Sequence, residues 1–128
     1  MLKLIEGLPV NVLDVNAEGQ ITREDYENVL IPAIEEKLKV SKKINLLYHL
    51  DKTVDGFSLG AMLEDAETGI KHLTAWGKIA IVSDHEMINT MTKFFGHFIP
   101  CEIRIFKNAE ISYAKKWVIE NEQLYEFN

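Results

Sequence analysis

The feature that most constrains the fold is a short, nearly continuous apolar run at residues 44–50, INLLYHL. Only Asn45 and His49 interrupt it, so apolar and polar residues do not alternate along the run. An apolar run of this length is typical of a strand covered by helices on both faces. A polar loop follows at residues 51–56, and over residues 58–74 the apolar spacing becomes helical. The run therefore predicts a parallel sheet flanked by helices, with a strand-to-helix loop at its carboxyl end.

Composition limits both the fold and the class of function. The chain has 128 residues, of which 47% are hydrophobic, and we expect residues 1–128 to form a single domain. No apolar segment reaches the roughly 20 residues of a membrane span, and Glu6 and Pro9 interrupt the amino-terminal segment where a signal peptide would be apolar. Cys101 is the only cysteine, which excludes an internal disulfide and a cysteine zinc site. These features predict a cytoplasmic protein.

The distribution of charge argues against nucleic acid as a partner. The formal net charge is −6, from 14 basic and 20 acidic residues. The only basic clusters that stand out are two pairs, Lys42 with Lys43 and Lys115 with Lys116. Nucleic-acid binding depends on a broad basic surface, which these two pairs do not supply.

Apolar periodicity predicts the remaining elements. Strands are expected near the amino terminus and at residues 10–17, 78–82 and 101–105. The first two are close enough in sequence for an antiparallel hairpin, and each later strand follows a helix, so right-handed crossovers make those strands parallel. The predicted fold class is α/β: a mixed five-stranded sheet, first strand antiparallel and the rest parallel, with four main helices.

Capping residues mark where the predicted helices begin. Thr22 starts the first helix, with Asp25 three residues later in a capping-box arrangement, and Pro32 predicts a kink in that helix. Asp84 is expected to cap the third helix and Asn108 the fourth. Trp76 and Gly77 are expected to end the second helix.

Three segments carry a resemblance to a known family: LYHLDKTVDGFSLGAMLEDAETGIKHL, WGKIAIVSDHE and FFGHFIPCEIRIF. With the order of the elements, they make the chain similar to the SpoIIAA-like branch of the STAS-domain family, whose folds are also related to CRAL-TRIO lipid-binding domains. The resemblance covers nearly the whole chain. It implies a STAS-like α/β fold and a non-catalytic module that works by binding another protein.

One motif of the family departs from its pattern here. In the anti-sigma-factor antagonists of the family, a serine at the start of the second helix is phosphorylated to switch partners, within the motif Asp-Ser-Ser-Gly-Leu-Gly. That motif falls on residues 55–60, which read Asp-Gly-Phe-Ser-Leu-Gly. Phe57 occupies the phosphoacceptor position, and Ser58 lies one residue later, where the family has glycine. We therefore expect Ser58 to be mainly a helix cap.

The predicted binding residues lie where two neighbouring strands end. Ligands of open α/β sheets meet the protein at the carboxyl ends of the strands. The residues expected to bind a partner or ligand are Asp51, Asp55, Gly56, Phe57, Ser58, Asp84 and His85. A simpler interpretation stays open, in which Asp55 and Asp84 cap helices and Asp51 ends a strand.

Metal binding is a weak hypothesis for this edge of the sheet. His49, Asp51, Asp84 and His85 are the available ligands. They form neither an HExxH pair nor a closely spaced His/Cys set, which structural and catalytic zinc sites require. No metal and no cofactor is predicted.

The serines and phenylalanines suggest catalysis or lipid binding less than they suggest structural roles. Ser58 and Ser83 lie in no GxSxG motif and have no predictable base, so no catalytic residue is assigned. No glycine-rich nucleotide loop occurs. Phe94, Phe95 and Phe98 would either line a lipid pocket or pack in the core, and their helical spacing favours the core.

These observations favour a non-catalytic STAS-like module that binds a protein partner through the loop between strand 44–50 and helix 58–74. A small apolar or lipid-like ligand, bound between helices and sheet, is the alternative, and a cryptic enzyme is a lesser one. The carboxylates at the loop are expected to disfavour nucleotides and phosphorylated metabolites. A homodimer is expected only because it is the commonest assembly.

Overall fold

The structure is a computed structural model that describes residues 1–54, 56–57, 71, 74–97 and 100–120. Its strands are β1 (Leu2–Ile5), β2 (Val12–Ala17), β3 (Gln20–Ile21), β4 (Ile44–Leu50), β5 (Gly56–Phe57), β6 (Trp76–Val82) and β7 (Glu102–Phe106). Its α-helices are α1 (Arg23–Asp25), α2 (Ile31–Leu38), α3 (Glu86–Gly96) and α4 (Ile111–Ile119). The predicted helix over residues 58–74 lies almost entirely outside the described residues. None of the helices seen in these ranges combines the length and apolarity needed to cross a membrane.

The predicted α/β fold class is confirmed. Strands β1, β2, β4, β6 and β7 form one sheet in that order, with β1 antiparallel to β2 and every later pair parallel. Strands 44–50 and 78–82 are direct neighbours in this sheet, and they run parallel, as the crossover rule predicts. A second, two-stranded sheet, in which β3 pairs in parallel with β5, was not predicted.

The main sheet is buried on both faces, as the unalternating run at β4 predicts. On one face, alternate residues of β2 and β4 pack against the first helix and its neighbours. On the other face, Leu47 and Ala80 pack under Ala114, Trp117 and Val118 of α4. We refer to this second surface as the α4 face.

The first helix begins at the predicted residue and contains a distortion near the predicted one. Thr22 Oγ1 accepts the Asp25 N–H at 3.3 Å, while Asp25 Oδ2 accepts the Thr22 N–H at 2.8 Å, which completes the capping box. A π-helical segment, Tyr26–Leu30, then joins α1 to α2. It ends immediately before the turn that contains Pro32, whose missing N–H cannot support a regular helical ladder.

The carboxyl end of α4 is fixed by polar side chains from the starts of β4 and β6. Asn45 Nδ2 donates to the Val118 carbonyl at 2.7 Å, and Asn45 Oδ1 accepts the Lys78 N–H at 2.8 Å. The Lys78 ammonium, which is buried, donates to the Trp117 carbonyl at 3.1 Å. The prediction that Trp76 and Gly77 end a helix is wrong: both belong to β6. We call Asn45, Gly77 and Lys78 the Asn45 network.

Two predicted helix caps are also wrong. Asp84 does not cap α3; its Oδ1 accepts the Asn108 N–H at 3.0 Å and so holds the connection between β7 and α4. The cap of α3 comes from His85, the residue directly before the helix, whose Nδ1 accepts the Ile88 N–H at 3.4 Å. Asn108 starts a short 3-10 turn, Asn108–Glu110, instead of capping α4 with its side chain.

The burial predicted for the phenylalanines of the third helix is wrong at Phe94, the one whose side chain is described. The Phe94 side chain is 63% exposed, although its helical spacing predicted burial. Ile88, from the same stripe, is partly buried and packs against the core as predicted. The side chain of Phe95, and Phe98 as a whole, lie outside the described residues.

Candidate functional site

The sheet topology brings two predicted segments to the same edge. Strands β4 and β6 are parallel neighbours, paired from Ile44 with Trp76 to His49 with Val82. Asp51 follows the first strand, and Ser83, Asp84 and His85 follow the second, so all of them lie at the carboxyl edge of the sheet. This juxtaposition is the one that the sequence predicted for the site.

Two hydrogen bonds hold the loop after β4 against the end of β2 and the turn that follows it. The Asp51 N–H donates to the Ala17 carbonyl at 2.9 Å, and the Gly19 N–H donates to Thr53 Oγ1 at 3.2 Å. Gly19 has a φ of 60°, in the left-handed region where glycine carries no steric penalty. The loop is therefore attached to the turn between β2 and β3.

Within this loop, Asp51 forms a local turn. Its Oδ1 accepts the Thr53 N–H at 2.9 Å, and this backbone hydrogen bond holds the pKa of the Asp51 carboxyl below its ordinary value. The Val54 N–H donates to the Asp51 carbonyl at 3.0 Å, and the Val54 side chain is buried. Asp51 is therefore an ionised group on a loop that is held by hydrogen bonds. It also ends strand β4, which is the structural role that the simpler interpretation of the sequence gave it.

Gly56 and Phe57 form β5, in which their backbones pair with Gln20 and Ile21. The position that corresponds to the family's phosphoacceptor, Phe57, thus lies in a short strand. Its side chain is outside the described residues, as are Asp55 and Ser58.

The turn after β6 is internally bonded. Ser83 is only 1% exposed; its Oγ accepts the His85 N–H at 3.0 Å, and its carbonyl accepts from Asn89 Nδ2 at 2.9 Å. Asp84 and His85 are exposed beside it. Ser83 is thus placed as a structural residue of the turn, and the groups that face solvent are a carboxylate and an imidazole.

The four candidate metal ligands are not brought together. No group of three or more His, Cys, Asp or Glu side chains in the described part of the chain could hold a metal ion. His49 lies on β4 and points to the α4 face, since its neighbours Tyr48 and Leu50 belong to the cluster on the opposite face. Its place on the strand separates it from the turn residues Asp84 and His85.

Sequence reasoning missed one charged residue on the sheet. Asp14, in the middle of β2, is 7% exposed, and its carboxyl group has no hydrogen bond or ion pair with any other described residue. Burial raises the pKa of its carboxyl, while the positive charges of Lys115 and His49 lower it. The signal was an aspartate inside an otherwise apolar strand, VLDVNA, which is buried on both faces.

A cleft lies between α3 and the edge strand β7. It is a groove of about 550 Å³ that is open to solvent. Its lining comes from β7 (Glu102, Ile103 and Ile105), from Cys101 just before that strand, and from Thr92, Lys93 and His97 of α3 and the residue after it. Burial raises the pKa of the Cys101 thiol, and Lys43 lowers it. The size falls within the range of small-molecule sites.

Comparisons with known proteins agree with this architecture. A family model described as SpoIIAA-like matches residues 12–119. Among solved structures, the chain is similar to an uncharacterized protein from the DUF3478 family of Shewanella loihica PV-4, which has a SpoIIAA-like fold. The two sequences are 27% identical, the match covers 92% of each chain, and the TM-score is 0.73. Curated proteins gave no significant match.

Proposed function

Because the chain belongs to the SpoIIAA-like family, we propose that it is a cytoplasmic, non-catalytic STAS-like module that binds a protein partner through the carboxyl edge of its sheet. The described contact residues are Asp51, Asp84 and His85. The sequence also predicts Asp55, Gly56, Phe57 and Ser58 as contact residues, of which Asp55 and Ser58 lie outside the described residues.

One observation carries this proposal: the loop after β4 is fixed in place while its charged group faces solvent. The backbone of Asp51 is bonded to Ala17, and Thr53 is bonded to Gly19. A preformed loop loses little conformational entropy when a partner binds, which favours affinity. The loop therefore has the properties of a protein-binding surface.

The polar groups of this edge support binding more than catalysis. The Ser83 hydroxyl is buried and already accepts the His85 N–H, and His85 Nδ1 accepts from Ile88. Activation of a serine nucleophile requires a base within hydrogen-bond reach of an accessible hydroxyl. The arrangement at Ser83 is that of a helix start.

The charge of the edge indicates the kind of partner. Asp51 and Asp84 place two carboxylates beside a cation, Lys52. A phosphate group would meet like charges here, whereas basic or neutral groups on a protein would be attracted. We expect this edge to reject nucleotides and phosphosugars.

Charge reversal with a matched control tests the proposal. The Asp51→Lys, Asp84→Lys double variant should lose a protein that the wild type retains in a pull-down from the native cell extract. Glu6→Lys, at an exposed position after β1 near the opposite edge, should retain that protein. Calorimetry with the purified partner then measures the affinity directly. Equal retention by all three proteins, or low-micromolar binding of ATP that Asp51→Lys removes, would refute the proposal.

The cleft between α3 and β7 favours a second candidate function, the binding of a small apolar molecule. Its strand-side lining is mainly apolar, with Ile103 and Ile105. Native mass spectrometry of the purified protein distinguishes the two: a retained lipid that Ile103→Glu releases favours this second function. A measured mass equal to that of the polypeptide alone favours the first function, the binding of a protein partner.

A further inference from the structure

Three exposed apolar side chains lie at the other end of the sheet, where the parallel strands begin. Val10 precedes β2, Val40 precedes β4, and Ile119 ends α4. Their exposed fractions are 64%, 70% and 44%, respectively. Side chains of this type are usually buried, so their grouping at one edge needs an explanation. We call these three residues the amino-edge patch.

The two valines of the patch are joined through one lysine. Lys37 Nζ donates to the Val10 carbonyl at 2.9 Å, and the Val40 N–H donates to the Lys37 carbonyl at 3.2 Å. The end of α2 is thereby held against the segment that enters β2. Val10 and Val40 consequently belong to one surface.

The isoleucine is joined to the same surface through Asn45. The Asn45 N–H donates to the Asn11 carbonyl at 2.8 Å, and Asn45 Nδ2 donates to the Val118 carbonyl at 2.7 Å. Asn11 follows Val10, and Val118 precedes Ile119. Each patch residue therefore either forms one of the hydrogen bonds between the segments of this edge or is the direct neighbour of a residue that does.

Lysines lie close to the patch residues in sequence: Lys42 and Lys43 follow Val40, and Lys116 is three residues before Ile119. Lys42, Lys43 and Lys116 are exposed, and none of them forms an ion pair with another residue in the described ranges. They belong to the only two basic pairs of a chain whose net charge is −6. By contrast, Lys39 is paired with Glu36 at 2.9 Å. Apolar side chains flanked by cations are complementary to apolar side chains flanked by carboxylates.

We propose that the amino-edge patch docks a protein segment in which apolar side chains alternate with Asp or Glu. A segment can place each carboxylate opposite one lysine. A segment contacts only this patch, whereas an anionic bilayer also faces the rest of a chain whose net charge is −6. This surface is at the opposite edge from the one in the proposed function, so either can fail without the other.

Peptide selection tests the proposal without a known partner. A displayed library of random peptides is selected on the immobilised full-length protein, and the best binder is measured by fluorescence anisotropy. We expect enriched sequences with apolar residues flanked by Asp or Glu. Val10→Ser with Val40→Ser, and separately Lys42→Glu with Lys43→Glu, should weaken the best peptide by about tenfold or more.

Matched variants keep the test specific. Tyr113→Ser changes an apolar side chain that is 66% exposed outside the patch, and Lys52→Glu reverses a charge at the carboxyl edge; both should bind the peptide as the wild type does. Circular dichroism confirms that each variant is folded. Three results would overturn the proposal: selected peptides without acidic residues, patch-dependent binding to phosphatidylglycerol vesicles without peptide binding, or a dimer that Val10→Ser and Val40→Ser dissociate.

Discussion

We predict that stability requires glycine at position 77 for one reason: the Asn45 side chain lies directly against it. A Cβ added at position 77 would overlap Asn45 Oδ1, while the nearest atom outside Asn45, the Ile44 carbonyl oxygen, lies at an ordinary 3.7 Å. Gly77 does not have a positive φ, so alanine fits its backbone. The substitution Gly77→Ala should therefore force the Asn45 side chain out of place.

The expected cost follows from the hydrogen bonds that Asn45 would lose. It donates to the Val118 carbonyl and accepts the Lys78 N–H, and each part-buried group left unpaired costs about 1–2 kcal/mol. Gly77→Ala recovers about 0.4–1 kcal/mol by restricting the unfolded chain. We expect a net loss of about 1–3 kcal/mol for Gly77→Ala and about 2–4 kcal/mol for Asn45→Ala.

A double-mutant cycle separates this mechanism from a general intolerance of alanine. In the Asn45→Ala background the obstacle is absent, so Gly77→Ala should be neutral or stabilising, by up to about 1 kcal/mol. The coupling energy should be about 2–4 kcal/mol, the cost of the two hydrogen bonds, measured by urea unfolding with the fluorescence of the buried Trp76 and Trp117. Free energies that add to within about 0.5 kcal/mol would show that Asn45 is not the reason for the glycine.

Three further predictions concern single residues. Asp14→Asn should raise the free energy of unfolding at about pH 7, because burial raises the pKa of Asp14 and so disfavours its ionised form. Urea titrations should show that this gain disappears by about pH 3.5, where aspartate is mostly protonated in both the folded and the unfolded protein. Thr22→Ala should cost about 1 kcal/mol in urea unfolding and speed amide exchange at Asp25, and an unchanged exchange rate there would contradict the capping box. Gly19→Ala should cost about 1 kcal/mol, since its φ is 60°, and a thermal midpoint equal to that of the wild type would refute this.

The fold could be predicted because its strands are marked by strong local patterns. The buried run at β4 and the alternation at β7 identify strands without tertiary information, and the crossover rule then orients them. The pairing of β3 with β5 involves two residues in each strand, too few for any periodicity to show. It depends on contacts between residues far apart in sequence.

Helix and strand ends were less predictable because adjacent residues compete for the same role. Asp84 and His85 both precede α3, and which one caps it depends on where the connection from β7 to α4 passes. Phe94 has the spacing of a core residue, but spacing alone does not say whether another element covers that side of the helix. For the candidate site, the sequence predicted the edge, whereas the bonds that fix it at Asp51 required the structure.

The two-residue pairing of β3 with β5 makes the loop and the start of the first helix one cooperative unit. Ile21 pairs with Phe57 and directly precedes Thr22, whose side chain closes the capping box. The loop cannot open locally without breaking this pairing, so amide protons on both sides of it should exchange through a shared opening event. A partner that binds the loop would then slow exchange at Ile21 without contacting it, and hydrogen exchange at that amide would report on binding from a distance.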